Sequence, residues 1–204
     1  MMTIADAFRP AAKSYALVYD IGCILAGTLF IALSACVAIP LPFSPVPITG
    51  QTLAVLMIAV LFGSRRAALC ALTYLAEGAI GYPVFARGAA GVTHLLGPTG
   101  GYLFAFVVAS YAVGMLAERG WDRRYSTAFA AMLAGNAIIY LFGLPWLAVF
   151  VGAERALALG LVPFIPGDVA KLLVATALLP WGRKLLARSG RVNVDGDCAR
   201  APEP

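Results

Sequence analysis

The sequence predicts an all-α integral membrane protein of six transmembrane helices, with both termini on the cytoplasmic side. Three observations carry that reading. Hydrophobic residues make up 61% of the 204 positions and charged residues only 12%, about half the charge of an ordinary soluble domain. The mean hydropathy is +0.87, and no amphipathic alternation offers a polar face to water. Lys and Arg gather at the ends of the apolar runs, on alternate joints. That placement orients helices in a bilayer and contacts lipid headgroups; it argues against nucleic acid as the reason for the net charge of +5.

Six runs approach the roughly 20 apolar residues needed to cross a hydrocarbon layer. The first covers 21–39 and stops at Pro40-Leu41-Pro42. The second, 49–62, is short and stops at Gly63. The third, 67–80, stops at Gly81-Tyr82-Pro83, and the fourth covers 99–117. The fifth covers 127–151 with Pro145 inside it as a kink. The sixth covers 166–186. Residues 1–20 form a polar amino-terminal segment, 21–186 the membrane domain and 187–204 a polar tail. With the amino terminus inside, Arg9 and Lys13, Arg65 and Arg66, Arg119, Arg123 and Arg124, and Arg183, Lys184, Arg188 and Arg191 all fall inside; only Arg87 and Arg155 fall outside. The opposite side then carries a Pro-rich joint around Pro45 and Pro47, a Gly-rich joint over 84–98, and the start of the sixth helix.

Charge inside an apolar run marks the first place to look for function. Asp168 and Lys171 lie three residues apart and share one helix face. An ionisable group in a bilayer costs about 2.5–3.5 kcal/mol on insertion scales, so it has a partner or a ligand. The pair can neutralise itself, or Lys171 can meet an anion while Asp168 accepts from ligand N–H groups. Asn136 and Tyr140 share a face of the fifth run and serve either as interhelical glue or as ligand contacts. Thr49, Gln51 and Thr52 open the second run; Thr49 reads as a helix cap and Gln51 as a possible ligand contact. Glu77 has no assigned role and could pair with Lys171 or Arg87 or carry a proton. His94, the single histidine, reads as an exposed loop residue.

Cys23, Cys36 and Cys70 sit in apolar runs and Cys198 in the tail, with neither disulfide nor zinc spacing. Small residues four apart on the first helix, Gly22 with Ala26 and Thr28 with Ala32, offer a face that another helix can approach closely. No P-loop, nucleophile elbow or zinc-protease motif appears, so the reading is not an enzyme.

Five stretches in order carry a resemblance: Pro45-Val46-Pro47-Ile48-Thr49-Gly50-Gln51-Thr52-Leu53, Gly78-Ala79-Ile80-Gly81-Tyr82-Pro83-Val84-Phe85, Leu96-Gly97-Pro98-Thr99-Gly100-Gly101-Tyr102, Gly143-Leu144-Pro145-Trp146-Leu147-Ala148, and Pro163-Phe164-Ile165-Pro166-Gly167-Asp168-Val169-Ala170-Lys171. Together they resemble the BioY family, the biotin-specific S components of energy-coupling-factor (ECF) transporters. The resemblance implies the S-component fold in a bacterial cytoplasmic membrane, with a biotin site near the outer face that includes Asp168 and Lys171. Gln51, Arg87, Tyr102, Asn136 and Tyr140 are expected to complete the site. It implies no cofactor or metal, and partners in the form of an ECF transmembrane coupling subunit and ATPase subunits that hydrolyse ATP. The first-helix face of Gly22, Ala26, Thr28 and Ala32 is the expected docking surface. Two other classes stay open: a stand-alone ion-coupled carrier of a small carboxylate, and an intramembrane enzyme.

Overall fold

A computed structural model describes residues 3–188; the expected tail from 189 onward, with Arg191 and Cys198, lies outside the described residues, as do the side chains of Arg183, Lys184 and Arg188. The order is α1 (Ile4–Ala7), α2 (Lys13–Cys36), β1 (Ala38–Leu41), β2 (Ser44–Thr49), α3 (Gln51–Phe62), α4 (Ser64–Ile80), a 3-10 turn at Ala86–Gly88, α5 (Val92–Leu95), α6 (Gly100–Glu118), α7 (Tyr125–Val151), α8 (Ala153–Gly160), a 3-10 turn at Val162–Phe164, and α9 (Ile165–Arg188). Among the described residues, four helical stretches, Lys13–Cys36, Gly100–Glu118, Tyr125–Val151 and Ala153–Leu179, are long and apolar enough to cross a membrane. The 12 residues of α3 are fewer, a length of about 18 Å, and α4 has 17 residues with Arg65, Arg66 and Glu77 among them.

Helix α6 sits at the centre. Leu103, Phe106, Ala109 and Val113 are buried against α3, α4 and α7. Helix α2 lies at the edge and leaves Leu17, Val18, Ile21, Leu25, Leu29 and Leu33 exposed, an apolar stripe suited to hydrocarbon and costly in water.

Three stretches differ from the sequence expectation. Helix α2 starts at Lys13 rather than at residue 21. Asp20, which marked the end of the polar segment, is neutralised on the helix by Arg9 at 2.6 Å and Arg66 at 2.8 Å. The first joint is not merely a Pro-rich loop in an all-helical chain. It is an antiparallel hairpin pairing Ala38 with Thr49 and Ile39 with Ile48, with a register shift between Ile39 and Leu41. Pro40 falls at that irregularity, where its missing N–H breaks no regular ladder bond, and Pro45 and Pro47 sit on a two-stranded sheet whose outer edges need no donor. The joint after α7 is the short helix α8, which turns Ala156 and Gly160 inward and leaves Glu154 and Arg155 exposed.

The end remote from the hairpin is closed by ion pairs and close backbone packing. One residue, Gly63, separates α3 from α4; its φ of +83° is strained for any residue with a Cβ. Glu118, at the end of α6, accepts from the Ser64 backbone N–H at 2.7 Å and from its hydroxyl at 2.8 Å, so α6 caps α4. A Cβ on Gly114 would meet the Ser64 nitrogen at 2.4 Å, so α6 and the α3–α4 joint touch backbone to backbone. Helix α1 folds onto this end. Thr3 and Asp6 form a reciprocal capping box, and Asp6 takes a 2.7 Å ion pair from Arg66. Burial by itself would raise the Asp6 pKa, but the hydrogen bonds from Arg66 and Thr3 outweigh it and hold the carboxyl below its ordinary value.

Candidate ligand-binding site

The hairpin, the 81–99 joint and the first turns of α3, α6 and α9 surround a cavity of about 520 Å³, within the usual range for small-molecule sites. All seven residues expected from the sequence as ligand contacts, Asp168, Lys171, Asn136, Tyr140, Gln51, Arg87 and Tyr102, line it.

Its floor is a chain of hydrogen bonds and one ring contact built from five helices. Lys171 donates to Asp168 Oδ1 at 3.2 Å and to Thr52 Oγ1 at 3.0 Å. Tyr140 donates to Asp168 Oδ2. The Tyr140 ring meets Tyr102 edge to face at 6.2 Å, and the Tyr102 hydroxyl donates to the Gly160 carbonyl at 3.0 Å. Asp168 is 7% exposed. Both of its oxygens are engaged, yet each keeps a second lone pair for a ligand donor. Asn136 is also 7% exposed and makes no side-chain hydrogen bond to a described residue, although a buried carboxamide ordinarily has partners. Gln51 donates through Nε2 to the Tyr74 hydroxyl, which donates onward to the Val84 carbonyl at 3.0 Å. The Gln51 bond thus ties α3 to α4 and the joint beyond it.

The mouth is different in character. Arg87 is exposed, sits at φ +62° in a left-handed conformation uncommon for side-chain-bearing residues, and has no ion pair among the described residues. The joint that carries it is tethered at both sides. Phe85 fills the space a side chain would occupy at Gly78, and Trp146 Nε1 donates to the Gly97 carbonyl at 2.9 Å. Gly81 closes α4 with φ +114°, its N–H reaching Gly78 and that of Tyr82 reaching Glu77, the Schellman arrangement that lets the chain leave the helix at once. The hairpin is fixed to α8 where Ser44 donates to the Leu159 carbonyl at 2.7 Å.

Several expectations are corrected. Thr49 does not cap α3; it ends β2, pairs with Ala38, and lines the cavity, while Gly50 occupies the cap position. His94 is not a plain exposed loop residue. It stacks on Phe85 at 5.2 Å, lies 3.4 Å from Thr99 Oγ1 and lines the cavity; burial lowers its pKa and favours the neutral ring. Glu77 joins neither Lys171 nor Arg87 among the described ion pairs. Thr28 leaves the expected docking face: it is 1% exposed and donates inward to the carbonyls of Ile24 and Cys70. Ala32 is half-buried against the core, whereas Gly22 and Ala26 are exposed. Thr52, His94 and Tyr74 were missed as contributors to the site. The only available signal was that Thr52 adjoins Gln51, and nothing in its spacing points to a lysine 119 residues away.

The model of the BioY family matches residues 7–188. The chain is 42% identical over 152 residues to a protein of Pyrococcus horikoshii named probable biotin transporter BioY, covering 74% of this chain and 88% of that one. It is 38% identical over 159 residues to the biotin transporter BioY of Thermotoga maritima, covering 78% and 92%. Among solved structures it is similar to the S component for biotin from an ECF-type ABC transporter, with a TM-score of 0.75, 26% identity, and coverage of 85% of this chain and 95% of the other.

Proposed function

Because the chain belongs to the BioY family, we propose that it captures biotin and serves as the substrate-binding component of an ECF-type transporter. The observation that carries this is the two-ended polarity of the cavity. At the buried end Asp168 offers acceptors while Lys171 and Asn136 offer donors, the complement of a ureido ring with its N–H groups and carbonyl. At the mouth Arg87 is a cation with no protein partner among the described residues, suited to the ligand carboxylate. Between them Val46, Leu103, Phe106 and Ile139 supply apolar wall for the thioether body.

The alternation of Lys and Arg supports six membrane crossings, both termini in the cytoplasm and the cavity on the outer face of the cytoplasmic membrane. Nothing in the cavity calls for a covalent step. Uphill transport then draws on ATP hydrolysed by partner subunits, with a coupling subunit seated on α2. Gly22 and Ala26 keep the exposure such docking needs, so Ala26→Trp is expected to reduce uptake by the assembled transporter while biotin binding to the isolated chain is retained.

Titration of the purified chain in detergent with radiolabelled biotin tests the reading. Tight saturable binding that falls by about tenfold or more in Asp168→Asn is expected, since a lost charged hydrogen bond is worth about 1.5–3 kcal/mol. Unchanged affinity in a folded Asp168→Asn variant would make the Asp168–Lys171 pair an internal salt bridge only.

A further inference from the structure

Beneath the floor of the ligand cavity lies a second, much smaller one of about 10 Å³. Its apolar wall comes from residues including Leu56, Met132 and Ala175, and three polar residues reach it: Thr52, Asn136 and Lys171. The same three also line the large cavity, so they form the partition between the two spaces.

Each of the three has hydrogen-bonding capacity left over. Lys171 has three ammonium donors; Asp168 and Thr52 take two of them. The Thr52 hydroxyl accepts from Lys171 and its own O–H has no acceptor among the described residues. The Asn136 carboxamide, more than nine-tenths buried, has no side-chain partner among them. Two spare donors and one carboxamide thus belong to residues that line a space the size of one water, which ordinarily makes about three hydrogen bonds when buried.

We propose that this cavity is a structural water site, in which one water accepts from Lys171 Nζ and Thr52 Oγ1 and donates to Asn136 Oδ1. The neighbouring ammonium excludes a metal cation, and the volume excludes anything larger. In the ligand-free protein the water takes the Lys171 N–H that a bound ligand would otherwise claim, and it fixes the rotation of Asn136. With Oδ1 turned toward the water, the amide N–H2 faces the large cavity, so the ligand atom met there is an acceptor. The site stands apart from the identity of the ligand and forms in the ligand-free protein.

Two measurements on the ligand-free full-length chain test it. A crystal structure at a resolution that shows ordered waters is expected to reveal one density peak about 3 Å from both Lys171 Nζ and the Asn136 amide; an empty space between ordered side chains overturns the proposal. A melting-temperature cycle of Thr52→Val, Asn136→Leu and the double variant needs no crystal. Either single change releases the water, so the double variant should lose clearly less than the sum of the two single losses, the signature of a shared partner. Strictly additive losses overturn it.

Discussion

The two ends of the helical body use the same kinds of polar residue to opposite effect. At the end remote from the hairpin, several charged groups pair within the protein. Arg66 holds both Asp6 and Asp20, and Glu118 closes on Ser64. At the cavity end, Asp168 and Lys171 pair with each other but retain lone pairs and N–H groups, Asn136 has no described side-chain partner, and Arg87 stands in an uncommon backbone conformation at the mouth. Closed valence stabilises the fold; on the proposed function, open valence beside the cavity is capacity held for a ligand. An ion pair inside an apolar chain is therefore not informative until its remaining hydrogen-bonding capacity has been counted.

The contrast can be broken most severely at the closed end. Gly114→Leu would drive a side chain into the backbone of Ser64. No folded, monodisperse protein is expected on gel filtration, because neither backbone can retreat. Next is Lys171→Ala at the open end. Biotin affinity in detergent is expected to drop by about tenfold to a hundredfold, with ligand-free melting temperature less affected than by changes at the closed end, because ligand sites hold polarity that folding does not need. Glu118→Ala should give the reverse pattern. Loss of the α4 cap costs about 1–2 kcal/mol, read as a melting temperature lower by several degrees, with biotin affinity unchanged. Were Glu118→Ala to lower affinity as much as Lys171→Ala, the two ends would not be separable.

The smallest effect is in acid. The folded-state pKa of Asp6 is depressed, so its contribution is fully present above the unfolded value and is lost as pH falls through the folded one. Melting temperature should therefore decline below about pH 4, and Asp6→Asn should flatten that limb without altering behaviour at neutral pH.

Much of the helical layout was legible in the chain because length and apolarity are local properties. The starts of α3, α6 and α9 follow from Pro and Gly punctuation, and the Asp168–Lys171 spacing puts both on one helical face before any neighbour is known. Where local pattern misled, a distant residue intervened. Asp20 read as the edge of a polar segment because Arg66 was not yet beside it. His94 read as loop surface because Phe85 was not yet stacked on it. Thr28 read as one of a row of small residues until the Cys70 carbonyl placed it inside.

The sequence by itself determined that this protein lives among lipids, roughly where its helices run, and which few polar residues could not be there for hydrocarbon. Tertiary structure alone decided that those residues share one cavity, that Thr52 supports Lys171 across 119 positions, and that the opposite end is sealed by its own charges. The physical reason is that transfer into a bilayer is a sum over local segments, whereas satisfying a hydrogen bond depends on which segments meet, and period and spacing along one helix do not encode that meeting.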